Sequence, residues 1–108
     1  MEYMQKSNYE IVTDLIRSAV RRNDKEARIL LYGSRARGTA HEHSDWDVVV
    51  ILNKEVSTDA RGDLSCDIWE EGQNVGEEIN AFVYTQQQWN DAPPSMFKHN
   101  VLQEAIEL

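Results

Sequence analysis

The amino-acid sequence predicts an α/β (α+β) protein in which a small mixed three-stranded sheet is flanked by helices. Three short apolar runs, rich in β-branched and large aliphatic residues, have the length and composition of strands. Segments whose apolar residues recur with helical spacing lie before, between and after these runs. Such alternation is typical of a sheet with helices packed against it.

The first helix is predicted over residues 8–22. Ser7 and Glu10 have the spacing of a capping box, in which each side chain caps the other residue's backbone N–H. Behind them, apolar residues recur on one helix face: Val12, Leu15, Ile16, Ala19 and Val20. The polar run 21–26 ends this helix. The apolar run 27–32 is the first predicted strand, and it stops at Gly33.

The remaining elements follow the same reasoning. Residues 45–52 (DWDVVVIL) form a β-branched run, which predicts a central strand buried on both faces. A helix is predicted over residues 57–70, although Gly62 weakens it, and residues 79–84 form the third strand. A last helix after Pro94 carries apolar residues on one side: Phe97, Val101, Leu102, Ala105 and Ile106.

Length and charge narrow the possible functions. The 108 residues suffice for a single domain, residues 1–108, with one modest core. The net charge of −8, from 19 acidic and 11 basic residues, argues against binding of duplex DNA or long RNA. Nucleic-acid binding requires a surplus of Lys and Arg at the phosphate backbone. An acidic surplus suits a basic partner protein, or serves solubility alone.

Other features predict a cytoplasmic protein. The longest apolar run is residues 48–52, so we expect no membrane span. The N-terminus lacks the pattern of a signal peptide. Cys66 is the only cysteine, which excludes an internal disulfide and fits a reducing compartment.

The first chemical motif is Gly33-Ser34, placed between a strand and a short segment that contains Arg35 and Arg37. Glycine allows another group to approach the backbone closely. A serine at a helix start offers a hydroxyl beside free N–H groups, which favour anions. The same arrangement is also common in turns between a strand and a helix that have only a structural role. Alone, it leaves phosphate binding and a purely structural turn both open.

The second motif is Asp45-Trp46-Asp47 at the start of the central strand. Residues two apart in a strand project from the same face, so both carboxylates point one way and Trp46 points into the core. At roughly 6 Å and an effective dielectric near 20, the two charges repel by about 3 kcal/mol. A divalent cation removes this repulsion, and oxygen ligands suit Mg²⁺. A turn or cap would explain Asp45 alone, but Asp47 lies inside the strand.

Together the motifs resemble a known family. Gly33-Ser34, ten intervening residues and Asp45-x-Asp47, with the glycine between strand and helix and the aspartates opening the next strand, form the signature of the nucleotidyltransferase superfamily. The chain is similar to the minimal nucleotidyltransferases, small relatives of the aminoglycoside nucleotidyltransferases and of the polymerase-beta-like palm. The resemblance implies the nucleotidyltransferase fold.

The resemblance also implies a mechanism. Gly33-Ser34 would hold the β- and γ-phosphates of ATP or another nucleoside triphosphate. Arg35 or Arg37 would neutralise the leaving pyrophosphate, unless these side chains form only a solvated helix face. Asp45 and Asp47 would bind two Mg²⁺ ions, one orienting the triphosphate and one activating an acceptor hydroxyl.

One position departs from the family pattern. Active members carry a third carboxylate on the neighbouring strand, where this chain has Asn80. An amide can coordinate a metal through its oxygen but cannot act as a carboxylate base. Glu78 shares a strand face with Asn80 and could supply the charge, whereas Glu77 faces away. Both glutamates could equally be a polar entry to the strand.

The function implied by the resemblance is transfer of AMP from ATP to a hydroxyl of a partner protein. Minimal nucleotidyltransferases often act as antitoxins to a small helical HEPN-type toxin, which is the implied partner. The alternative is a catalytically impaired binding module that neutralises its partner by contact. A small-molecule nucleotidyltransferase of the aminoglycoside type is less favoured, because the chain has no substrate domain.

Overall fold

The computed structural model describes residues 7–108, and within this range the chain forms five helices and four strands. The helices are α1 (Asn8–Asn23), α2 (Ser34–Arg37), α3 (Thr58–Asn74), α4 (Gln86–Asp91) and α5 (Met96–Glu104). The strands are β1 (Arg28–Tyr32), β2 (Trp46–Leu52), β3 (Ile79–Thr85) and β4 (Ile106–Glu107). None of the helices in this range combines the length and apolar content needed to span a membrane.

The strands form one mixed sheet in the order β3-β2-β1-β4. Strand β1 pairs antiparallel with β2 and β4, whereas β2 pairs parallel with β3. A parallel pair needs a crossover connection, and α3 provides it. Every residue of β2 is buried except Asp47, which is half-buried. The predicted mixed sheet with a buried central strand is therefore confirmed, but the sheet has four strands rather than three.

The fourth strand corrects the prediction for the last helix. Helix α5 ends at Glu104, so Ala105 is its C-cap and Ile106 lies in β4 instead of continuing the apolar helix face. Strand β1 would otherwise leave an unpaired edge, and β4 pairs with it at Leu31 and Leu30. Pairing with this edge takes precedence over the helical spacing of the apolar residues.

The sequence prediction also lacked α4. This helix of six residues is too short to show a periodic apolar pattern, and only Trp89 is buried. The feature of the sequence that indicates α4 is the capping of its first turn. The Thr85 side chain accepts a hydrogen bond from the Gln88 backbone N–H, and the Gln88 side chain accepts one from the Thr85 N–H, which completes a capping box.

The sheet is covered on both faces. Helices α1 and α3 pack on one face against alternate β2 residues: Trp46, Val48, Val50 and Leu52. The opposite face of the sheet packs against α4 and α5 through Leu30, Val49, Ile51, Trp89 and Val101. Asp47 shares this second face with Val49 and Ile51, because strand residues two apart point the same way. Polar groups at the start of β2 therefore lie at the edge of the smaller core.

The contact between α3 and β3 generates a stability prediction at Gly72, which is buried. A Cβ added there would lie 2.8 Å from the Glu77 backbone oxygen and 2.9 Å from the Ile79 side chain. We expect Gly72→Ala to lower the free energy of unfolding by about 1–3 kcal/mol through this overpacking. The clash outweighs the gain in helix propensity, which is about 1 kcal/mol. Urea denaturation would measure the change.

The matched control is Gly62→Ala in the same helix. An added Cβ at Gly62 meets open space. This substitution should leave stability unchanged or raise it by up to about 1 kcal/mol. Equal denaturation midpoints for Gly72→Ala and the wild type would contradict the close packing of α3 on β3.

Candidate functional site

The parallel pairing of β2 and β3 brings three polar residues together. In the register of the two strands, Asp47 lies opposite Asn80. The Asn80 Nδ2 atom donates hydrogen bonds to Asp45 Oδ2 and Asp47 Oδ1, each at 3.4 Å. The position that carries the third carboxylate in the family pattern is therefore held by an amide that donates to both aspartates.

The charge on Asp47 is partly desolvated. Burial raises the pKa of the Asp47 carboxyl, and the neighbouring Asp45 charge raises it further. The hydrogen bond from Asn80 and the positive charge of Arg37 lower this pKa, but their effect is smaller than that of burial and Asp45. The pair is thus a site of negative potential that the protein's own donors compensate only in part.

The Glu78 side chain contacts helix α3. It lies just before β3, and its Oε1 atom is 3.5 Å from the indole nitrogen of Trp69 on α3. Across residues 7–108, no group of three or more His, Cys, Asp or Glu side chains is placed to hold a metal ion. The polar side chains that face one another are those of Asp45, Asp47 and Asn80, with the Asn80 nitrogen turned towards the two carboxylates.

The Gly33-Ser34 turn lies directly against Asp47. Tyr32, the last residue of β1, pairs with Asp47, and the chain then turns at Gly33 with a φ of 77°. A Cβ at Gly33 would lie 2.9 Å from Asp47 Oδ2. Both the backbone conformation and the space therefore require glycine. Ser34 begins α2, a single turn in which the Ala36 and Arg37 N–H groups donate to the Gly33 carbonyl.

The two arginines of α2 have different surroundings. The Arg35 guanidinium donates to the Ser44 carbonyl at 2.8 Å and stacks on the Trp46 ring at 4.3 Å. The indole N–H of Trp46 donates to Glu77 at 2.9 Å, and Glu77 also lies 3.9 Å from Arg35. Trp46 is 1% exposed, which confirms the prediction that it belongs to the core. Arg35 therefore supports the Asp-Trp-Asp segment from the face opposite the carboxylates.

Arg37 lies on the side of the carboxylates and meets a residue that sequence reasoning missed. Its Nη1 atom donates to both carboxylate oxygens of Glu104, each at 3.1 Å. The backbone N–H of Gly33 also donates to Glu104 Oε1 at 2.9 Å. These donors, the Gly33 N–H first, lower the pKa of Glu104. No motif in the sequence pointed to Glu104, because its partners lie far away along the chain.

An aromatic surface borders the site on the same face of the sheet. Phe82 follows Asn80 by two residues in β3 and is 48% exposed. The ring of Phe97 from α5 lies 5.7 Å from Phe82 and 5.5 Å from Tyr32. Burial raises the pKa of the Tyr32 hydroxyl, and so does the nearby Asp47 charge. The carboxylate pair is therefore flanked by apolar rings and remains open to solvent at Asp45.

A glycine turn that ends one strand against an Asp-x-Asp opening the next, in a mixed sheet with a helical crossover, defines a nucleotidyltransferase domain. Residues 14–107 match the model of the nucleotidyltransferase domain family, and the chain belongs to that family. The family predicted from the sequence is thereby confirmed. Comparison with functionally curated proteins finds no match.

Solved structures share the fold. A toxin–antitoxin crystal structure with AMP-PNP is 20% identical, with a TM-score of 0.63, over 87% of this chain and 69% of that one. The toxin–antitoxin MntA–HepT is 15% identical, with a TM-score of 0.60, over 91% and 69% of the two chains. A Sulfolobus solfataricus protein is 15% identical, with a TM-score of 0.54, over 99% and 90%. Because the sequence identities are this low, the structural similarity establishes a shared fold and nothing further.

The raised pKa of Asp47 predicts that this residue destabilises the metal-free protein at neutral pH. A folded state with a raised carboxyl pKa binds the proton more tightly than the unfolded chain does. Its contribution to stability therefore falls as the pH rises from the ordinary aspartate range through the raised pKa. Asp47→Asn removes this penalty, so its melting temperature should exceed that of the wild type at pH 7, with the difference shrinking in acid.

Thermal unfolding followed by circular dichroism, in EDTA and across a pH series, would measure this difference. The control is Asp67→Asn, which removes an exposed carboxylate from α3. The melting temperature of this control at pH 7 should equal that of the wild type. A melting temperature for Asp47→Asn at or below that of the wild type at pH 7 would contradict the electrostatic strain assigned to Asp47.

Proposed function

We propose that this protein transfers a nucleoside monophosphate, AMP from ATP, to a hydroxyl group of a partner protein and acts as the antitoxin of that partner. The observation that carries the proposal is the contact between the Gly33 turn and Asp47, which leaves no room for a Cβ. This contact brings the backbone N–H groups of the turn beside a carboxylate pair, as transfer from a triphosphate requires. Membership of the nucleotidyltransferase family supports the same reaction.

The donor set fits Mg²⁺. Asp45 and Asp47 supply carboxylate oxygens, and Asn80 can supply an amide oxygen, which are the ligands this ion prefers. The Asn80 amide now turns its nitrogen towards the carboxylates, so it must rotate to present oxygen. Two carboxylates suit one firmly held ion, and a second ion would depend on the phosphates of the nucleotide. When bound, Mg²⁺ would neutralise charge on the carboxylates and phosphate oxygens.

The residues of the chain would then have separate roles. The N–H groups of the Gly33-Ser34 turn and the Arg37 guanidinium bind the β- and γ-phosphates. Asp45 and Asp47 would hold Mg²⁺, which would neutralise the charge of the α-phosphate at the start of β2. The acceptor oxygen forms a bond to the α-phosphorus, the bond from phosphorus to the bridging oxygen breaks, and pyrophosphate leaves. The acceptor proton passes to water, because the Asn80 amide cannot accept it.

The partner that suits this chain is a small helical toxin of the HEPN type with a basic surface. Protein complexes described as toxin–antitoxin share the fold. The chain carries a net charge of −8, which favours association with a basic surface. Helix α5 also exposes apolar side chains that a partner could cover, with Met96 74% and Leu102 63% exposed.

A second candidate function is a binding module that keeps the fold and neutralises its partner by contact. The observation in its favour is Asn80. Its amide donates to both aspartates, so it relieves their repulsion without a cation and provides no base. Nucleotide binding would persist in such a module, and only turnover would be lost.

Nucleotide binding is tested by isothermal titration calorimetry with Mg²⁺-ATP. We expect binding that requires the divalent metal and disappears in Asp45→Asn/Asp47→Asn, because the metal loses both charged ligands. Asp67→Asn, which removes an exposed acid on α3, should bind like the wild type. Undiminished binding by the double variant would exclude the carboxylate pair as the metal site.

Turnover is tested by transfer of label from α-³²P-ATP to the co-expressed product of the adjacent gene. General-base assistance is typically worth about 10²–10⁴ in rate. We therefore expect slow transfer by the wild type and faster transfer, within that range, by Asn80→Asp. Activity in Asn80→Asp alone would identify the natural chain as a binding module. A sharp loss in Glu78→Gln would show that Glu78 supplies the missing charge despite its contact with Trp69.

A further inference from the structure

The Glu104 carboxylate occupies the donors of the Gly33 turn. It accepts the Gly33 backbone N–H at 2.9 Å and two hydrogen bonds from Arg37 at 3.1 Å. Glu104 is the last residue of α5, immediately before the segment that pairs with β1. Its side chain is 22% exposed, so the contact is accessible from solvent.

This contact conflicts with phosphate binding. A carboxylate and a phosphate accept the same charge-assisted hydrogen bonds, from a backbone N–H group and from a guanidinium group. The Gly33 N–H is a single donor and cannot serve Glu104 and a phosphate oxygen in full at the same time. Glu104 therefore stands where an oxygen of the nucleotide would stand.

We propose that Glu104 is a specificity-determining residue of the nucleotide site: an internal anion that a metal-bound triphosphate displaces and that weaker anions do not. The proposal rests on the function proposed above, in which Gly33 and Arg37 bind phosphate. A triphosphate holds the site through its metal at Asp45 and Asp47 as well as through the turn, so these additional contacts offset the cost of displacing Glu104. Phosphate or pyrophosphate without a metal binds only through contacts with the turn.

The size of the effect follows from the fraction of molecules with an open turn. The apparent affinity of a ligand falls by that fraction when only the open state binds. If Glu104 holds the turn in about nine-tenths of molecules, its removal should strengthen anion binding about tenfold. Because Glu104 joins α5 to the turn, its release also frees the end of α5 from the donors of α2.

The experiment measures the dissociation constant of inorganic pyrophosphate without divalent metal, and of Mg²⁺-AMP-PNP, for the wild type and for Glu104→Ala and Glu104→Gln. We expect pyrophosphate to bind Glu104→Ala about tenfold more tightly than the wild type, with Glu104→Gln intermediate, because glutamine keeps the acceptor oxygen and loses the charge. The gain for Mg²⁺-AMP-PNP should be similar, because every ligand that binds the turn must first displace Glu104. Thermal unfolding would verify that both variants are folded.

Two controls separate displacement from a general change in charge. Asp91→Ala removes an exposed acid at the end of α4, away from the turn, and should bind both ligands like the wild type. Raising the salt to about 0.5 M screens through-space repulsion. The gain in Glu104→Ala over the wild type should persist there, because it arises from direct competition for the donors.

The outcomes distinguish this inference from the proposed function. Equal or weaker pyrophosphate binding by Glu104→Ala would overturn the inference, and weaker binding would show that Glu104 instead positions Arg37. Stronger pyrophosphate binding by Glu104→Ala without any Mg²⁺-AMP-PNP binding would uphold Glu104 as an internal anion and overturn the nucleotide function. Absence of binding by every variant to both ligands would overturn both proposals.

Discussion

The parallel pairing of β2 with β3 is the constraint on which the rest of the site depends. It requires a crossover, so α3 must pack across the sheet, and Gly72 provides the space for that packing. The register then places Asp47 opposite Asn80. On its other side, β2 pairs antiparallel with β1, so the end of β1 meets the start of β2 and the Gly33 turn contacts Asp47. A shift of either register by one residue would turn Asp47 towards the opposite core.

The sequence was sufficient for the parts of the fold that rest on local pattern. The β-branched run of β2 predicted a buried central strand, and the capping pattern at Ser7 predicted the start of α1, which the structure confirms through the bond from the Glu10 N–H. The two-residue β4 escaped prediction because its pairing with β1 is a long-range interaction without a local signal. The spacing of apolar residues in a segment does not indicate which strand edge, distant in the sequence, the segment will pair with.

The same distinction applies to the site. Gly33 and the two aspartates could be found from the sequence, because each has a motif and a position relative to a strand. Glu104 could not, since it lies 71 positions from Gly33 and reaches it only through the packing of α5. The separate surroundings of Arg35 and Arg37 also required the structure: their spacing in a single helical turn did not reveal that one stacks on Trp46 while the other faces the carboxylates.

Repulsion between Asp45 and Asp47, taken alone, argues that a cation must be present. The structure weakens that inference, because the Asn80 amide donates to both carboxylates and relieves part of their repulsion without a cation. Glu104 correspondingly accepts hydrogen bonds from the Gly33 N–H and from Arg37. The chain's own groups thus satisfy the site in part, with an amide donor at the carboxylates and a carboxylate at the turn. In the proposed reaction, a metal alone or a phosphate alone would displace only one of these groups, whereas a metal-bound nucleotide would displace both and has the additional contacts that offset this cost.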